Sequence, residues 1–176
     1  LWGPNVQAKV NITRLLSREL LRKKGVIGLG TVTDPYQPAE EEMNLTRKCL
    51  EEMVHASASV SILTKSDLVT RDIDLLLRMA SAEVGISLNT SVDERAAIFE
   101  PGSPPPSRRL RAVRALVDSG IGTYVFLGPV IPTITDHDLD GLVNSLIETR
   151  VRSVMIDRLN LRPGMKERMA SIMAER

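Results

Sequence analysis

Cysteine is almost missing: Cys49 stands alone among 176 residues, so no intrachain disulfide can form and no Cys-rich metal or cluster site can be assembled from this chain alone. Aromatic residues make up only 3% of the chain, with a single Trp, which leaves no platform for stacking bases. Excess charge is absent as well. Lys and Arg number 23 against 22 Asp and Glu, so the balance leaves no footprint for a nucleic acid or an anionic membrane, and only a local basic groove would serve such a partner. No apolar stretch approaches the roughly 18 residues that span a bilayer, and no signal-peptide order opens the chain; a cytoplasmic protein is expected. Gly-x-Gly-x-x-Gly, Walker-type Gly-Lys-Ser/Thr, His-Glu-x-x-His and Gly-x-Ser-x-Gly patterns do not occur, so nucleotide folds, zincins and serine hydrolases gain no support. His55 and His137 share no metal-ligand spacing with each other or with nearby carboxylates, which makes them surface or capping groups.

What the chain does contain is alternation. Short apolar, β-branched runs at residues 6–12, 26–32, 60–64, 84–88, 123–127 and 153–156 read as strands, most of them apolar on both faces as buried parallel strands are. Between them lie helical patterns. Leu139, Leu142, Val143, Leu146 and Ile147 form one stripe, as do Ile73, Leu76, Leu77 and Ala80, and Leu110, Val113, Leu116 and Val117. Ser91 with Glu94 and Thr135 with Asp138 have capping-box spacing, and Pro38 before Glu40, Glu41 and Glu42 suits a helix start.

Repeated βα units permit a (β/α) barrel or an open doubly wound sheet, and the placement of polar residues separates them. A barrel draws reactive groups from the C-terminal ends of several strands; an open sheet gathers them at one switch point. Here nearly every strand ends polar: Asn11, then Thr31, Thr33 and Asp34, then Thr64, Lys65 and Ser66, then Ser87, Asn89 and Thr90, then Asp157, Arg158 and Asn160. The expectation is an α/β fold, a partial TIM-type (β/α) barrel of six parallel strands occupying residues 1–176 as one domain.

Individual residues carry this further. GTVTDPYQP, following a strand and preceding a helix, is expected to be a ligand-facing loop. Within it Asp34 also has a plain role, since Asp before Pro initiates turns and its carboxylate satisfies nearby amides. Lys65 closes a buried strand, where an ammonium is costly unless it meets water or an anion. Ser87 and Asn89, two apart on a strand, share a face. Arg108 and Arg109 sit in an arginine run whose usual role is a solvated helix face. Cys49, spaced with Thr46, Leu50 and Met53, reads as a small buried hydrophobe.

Taken in order, GTVTDPYQPAE, SILTKSD, ISLNT, EPGSPPPSRRL and GPVIPTITD resemble the radical S-adenosylmethionine proteins of the spore photoproduct lyase-like group, often labelled DNA repair photolyases, over the stretch from Val6 to the C-terminal LNLRPG. The resemblance implies that Thr33 and Asp34 hold the amino end of S-adenosylmethionine, Lys65 meets its carboxylate, and Ser87 with Asn89 reaches the ribose. It places Arg109 and, more weakly, Glu100 beside the cofactor, and Val130 and Ile131 of the PVIP run against adenine. It further implies a [4Fe–4S] cluster that delivers an electron to the sulfonium, a 5′-deoxyadenosyl radical, and a lyase acting on DNA photoproducts. The family holds that cluster through a Cys-x3-Cys-x2-Cys motif, and the motif is absent here. The chain opens on Leu1 rather than Met, so it is expected to be a fragment lacking the first barrel strand and its cluster loop, or else a cluster-less barrel remnant binding a nucleotide-like ligand or a partner subunit.

Overall fold

The computed structural model describes residues 6–132 and 135–160, with Gly164 and Glu167; residues 161–163 of the LNLRPG stretch lie outside it. In chain order the elements are α1 (Ile12–Leu20), β1 (Val26–Leu29), α2 (Ala39–Met43), α3 (Leu45–His55), β2 (Ser59–Thr64), a 3-10 turn (Asp67–Asp72) running into α4 (Ile73–Leu76), β3 (Ser81–Leu88), α5 (Asp93–Phe99), α6 (Pro106–Asp118), β4 (Gly122–Val130), a second 3-10 turn (Asp136–Asp138), α7 (Leu139–Thr149) and β5 (Ser153–Arg158). All five strands are parallel, and their order in the sheet is their order in the chain. A sheet without a reversal of strand order has no switch point, so the described strands form an arc of barrel wall in which β1 and β5 do not pair with each other.

The described strands number five rather than the expected six. Residues 6–12, read above as a strand, run without regular structure through a turn at Val10–Asn11 into α1. The helical period prevails because Ile12, Leu16 and Leu20, spaced by four, all pack on the core. Two expected capping boxes are also absent. The residues preceding α5 and α7, Val92 and Asp138, make no side-chain cap; Ser91 instead donates its hydroxyl to Asp138 Oδ2 (2.7 Å), and Thr135 Oγ1 accepts the amide of Ile131 (3.0 Å). The helix read around Ile73, Leu76, Leu77 and Ala80 shortens to four residues, with Leu77 and Ala80 exposed.

The core lies where the central strands meet the helix layer. Val60 and Ile62 of β2, Val84, Ile86 and Leu88 of β3 and Val125 of β4 pack with Leu50 and Met53 of α3, Val113 and Leu116 of α6 and Leu142 of α7. Truncating one of these, Ile62→Ala for instance, costs about 2–5 kcal/mol through lost transfer energy and a residual cavity. Cys49 is buried here as expected. The edges differ: β5 is exposed along its whole length, and Leu139, Val143 and Ile147 form an apolar stripe on the outer side of α7, so of the stripe read from the sequence only Leu142 and Leu146 are covered.

Candidate functional site

The loop after β1 is built by a close approach. Gly30 has φ +98°, and a Cβ there would lie 1.9 Å from the Leu63 carbonyl oxygen. Only glycine lets the chain turn back against β2 at this point. Asp34 then pins the loop to the end of that strand: Oδ1 accepts the Tyr36 amide (2.9 Å) and the Thr64 hydroxyl (2.6 Å), and Oδ2 accepts the Lys65 amide (2.8 Å). The turn-forming role therefore holds for Asp34, which is at the same time part of the cavity wall.

Tyr36 anchors the loop from beneath. Its ring is fully buried and its hydroxyl donates to Asp72 Oδ2 (3.1 Å); burial first, then the Asp72 carboxylate, holds the phenol well above its ordinary range. Asp72 also receives Arg71 Nε (2.9 Å) and Arg47 Nη1 (2.8 Å), while Arg71 Nη2 reaches Glu40 Oε1 (3.0 Å). Glu40 in turn accepts the amides of Thr46 (2.9 Å) and Arg47 (3.2 Å) in the first turn of α3, where Asn44 supplies no side-chain cap. None of this cluster is legible from local spacing.

Above it, at the C-terminal ends of β1 to β4, lies a cavity of about 840 Å³. Thr33, Asp34, Lys65, Ser87, Asn89, Glu100 and Ile131 line it, with Leu63, Phe126, Pro129 and Leu159 as apolar walls. That volume is typical of small-molecule sites. Polar side chains from the ends of β1, β2 and β3 thus converge, joined by Glu100 from the end of α5, whereas Asn11 does not join them and Val130 stands outside the lining.

The cationic side of the cavity is a chain of three residues. Lys65 Nζ lies 3.3 Å from Glu100 Oε1, and Glu100 Oε2 lies 2.7 Å from Arg109 Nη1. Asn89 Nδ2 donates to Glu100 Oε1 (3.3 Å). Arg108 occupies a solvated face as expected, paired with Asp67 (2.8 Å), but Arg109 is 1% exposed and does not touch the cavity. The reason is helical: Arg109 precedes Ala112, Val113 and Leu116 by three, four and seven residues, so it shares their inward stripe on α6. That spacing was available in the sequence and hidden by the arginine run. Asn89 Oδ1 and Arg109 Nη2 are buried without a hydrogen-bond partner, while Glu100 Oε2 has its ion pair with Arg109 alone, so hydrogen-bonding capacity in this corner is not all used.

Nothing comparable exists for a metal. Among the described residues no group of three His, Cys, Asp or Glu side chains is placed to hold an ion. The Cys49 thiol, buried on α3 and facing the Glu40 and Glu52 carboxylates, is pushed up to about 11, mainly by burial, which is the opposite of a thiolate ligand. The residues present do not fit a [4Fe–4S] cluster. His55 and His137 are exposed, with His137 Nδ1 near Arg95 Nη2 (2.9 Å). Among the described residues no helix is long and apolar enough to cross a membrane.

The sequence profile of the radical SAM superfamily matches residues 10–146. An uncharacterised protein of Methanocaldococcus jannaschii is 38% identical over 135 residues, 77% of this chain and 51% of its own length. An uncharacterised protein of Mycobacterium tuberculosis is 32% identical over 169 residues, 92% of this chain and 50% of its own. The chain therefore spans about half the length of these curated relatives. Among solved structures, a spore photoproduct lyase variant with bound AdoMet and dinucleoside spore photoproduct superposes with a TM-score of 0.72 at 14% identity, over 97% of this chain and 52% of that one.

Proposed function

The chain belongs to the radical SAM superfamily, and we propose that the cavity at the ends of β1 to β4 binds S-adenosylmethionine. The observation that carries this reading is the convergence of Lys65, Ser87, Asn89 and Glu100 with Thr33 and Asp34 in one cavity, where the Asn89 amide oxygen has no hydrogen-bond partner. A zwitterionic amino-acid end suits a wall with a cation at Lys65 and an anion at Asp34. A carboxylate has about four acceptor positions; three of Asp34's are used by Tyr36, Thr64 and Lys65, leaving one for an ammonium alongside the Thr33 hydroxyl. Lys65 takes the carboxylate, and the free Asn89 Oδ1 with Ser87 takes ribose hydroxyls. Ile131 packs on the adenine, with Val130 preceding it at the end of β4.

Bound there, S-adenosylmethionine supplies the sulfonium centre of radical SAM chemistry. The chain's own part is to bind, orient and exclude water. In this reading the thiolates of an iron–sulfur cluster come from outside these 176 residues. Reconstituted anaerobically with iron and sulfide, the chain itself gains no broad absorbance near ~400 nm; a stoichiometric cluster would overturn that assignment. The single buried thiol favours a second reading, in which the chain is a ligand-binding module without radical activity of its own.

Calorimetric titration tests the cofactor. Lys65→Met keeps the apolar stem and loses a charge-assisted hydrogen bond of roughly 1.5–3 kcal/mol, weakening S-adenosylmethionine binding by about ten- to a hundred-fold while the protein stays folded. Equal affinities would remove Lys65 from the site. The finer form of the reading, a lyase acting on DNA photoproducts, draws on the fold shared with spore photoproduct lyase. It requires that an oligonucleotide carrying such a lesion bind more tightly than the undamaged strand, and equal binding would end it.

A further inference from the structure

Arg109 is fixed by two backbone carbonyls. Its Nε donates to the Pro104 carbonyl (2.7 Å) and its Nη1 to the Ser87 carbonyl (3.1 Å), tying the start of α6 to the preceding loop and to the end of β3. From this fixed position Nη1 meets one oxygen of Glu100, whose other oxygen faces the Lys65 ammonium. Glu100 itself follows the last turn of α5 and opens the irregular segment before α6, so no regular backbone sets its direction.

We propose that Arg109 is a positioning residue for Lys65 and acts through Glu100: it holds one carboxylate oxygen so that the other aims the ammonium along the cavity wall. The proposal deepens the reading of Lys65 as the anion anchor and rests on it. Two properties of the side chains make the arrangement work. A lysine with four rotatable bonds and a partly exposed head swings toward water unless an anion holds it. A guanidinium can grip two carbonyls and a carboxylate at once in fixed directions, which an ammonium cannot.

Positioning and mere packing predict opposite signs. Removing Arg109 takes a positive charge from the neighbourhood of Lys65, which by itself favours the ammonium and slows its reaction with an amine-reactive ester. If Arg109 positions Glu100, its loss instead releases the carboxylate and frees Lys65. The experiment is the labelling rate of Lys65 in the ligand-free chain at neutral pH, read by mass spectrometry with exposed Lys24 as internal reference. Arg109→Met and Glu100→Gln should each raise the rate by about three- to ten-fold, and the double variant should add little to either, because the residues act in series. An unchanged or slower rate in Arg109→Met, or an additive double variant, overturns the proposal. Should Arg109→Met fail to fold, Arg109→Lys keeps the charge without the fork; a native melt with unchanged labelling there is equally fatal. No ligand enters these rates, so failed S-adenosylmethionine binding with intact coupling would strike the proposed function alone.

Discussion

Two clusters of charge sit at the same end of the sheet and are finished differently. Around Asp72, the carboxylates of Asp72 and Glu40 meet Arg47, Arg71, the Tyr36 hydroxyl and two amides of α3, and none of their buried polar atoms lacks a partner. Around Glu100, Asn89 Oδ1 and Arg109 Nη2 remain without hydrogen-bond partners and a lysine faces the cavity. A closed cluster spends all its hydrogen-bonding capacity inside the protein and so can only hold the fold together. An unfinished one keeps capacity for something else. Both contain paired acids and arginines, so charge composition alone does not distinguish scaffold from site; the bookkeeping of partners does.

The largest expected effect breaks the closed cluster. Asp72→Ala strands a buried phenol and takes the shared acceptor from two guanidiniums, leaving Arg71 on Glu40 and Arg47 on Asp74. With the hydrogen bonds of three side chains to one buried carboxylate gone, urea unfolding should register a loss of about 3–5 kcal/mol, and a loss below about 1 kcal/mol would mean that the cluster is not scaffold. Next comes its electrostatic reach. The ordinary value of the Cys49 thiol is 9.0 and the folded one about 11, with Glu40 among the causes. Between these values the unfolded thiol has released its proton while the folded one keeps it, so stability is whole below 9.0 and falls as pH rises through about 11. Set against Cys49→Ala, which shares every other titration, the wild type should lose on the order of 2 kcal/mol more across that window. Parallel pH profiles would show the thiol to be no part of it.

Tyr36→Phe is a smaller test. It removes one donor from a buried carboxylate, and about 1–2 kcal/mol of stability should go with it, measured by thermal melts. Smallest in stability is Lys65→Met, whose pair with Glu100 is partly solvated: less than about 1 kcal/mol should be lost, in contrast to its large effect on ligand affinity. A Lys65 variant that unfolds as readily as Asp72→Ala would erase the distinction between the clusters.

The sequence disclosed one cluster better than the other, for a physical reason. Lys65, Ser87 and Asn89 could be read because a strand's period of two and its burial say where a polar residue at its end must point. Parallel pairing was legible for the same reason, in runs such as VSILT and VGISL that are apolar enough to be covered on both faces. Asp72 could not be read this way: its partners Arg47 and Tyr36 lie 25 and 36 residues earlier, and as one of three acids in SDLVTRDID it has the local pattern of a solvated turn. The region around residues 6–12 misled because a few β-branched residues outweighed the four-residue spacing that begins at Ile12.

The agreement between chain order and sheet order has a consequence for how this protein is made. Each described strand after β1, on emerging from the ribosome, finds the neighbour that precedes it already present at the advancing border, so these five strands can pair in turn without one having to be wedged between two that are already joined. Growth of this kind never revisits β1, whose outer border stays unclaimed by every described strand from the first pairing to the last.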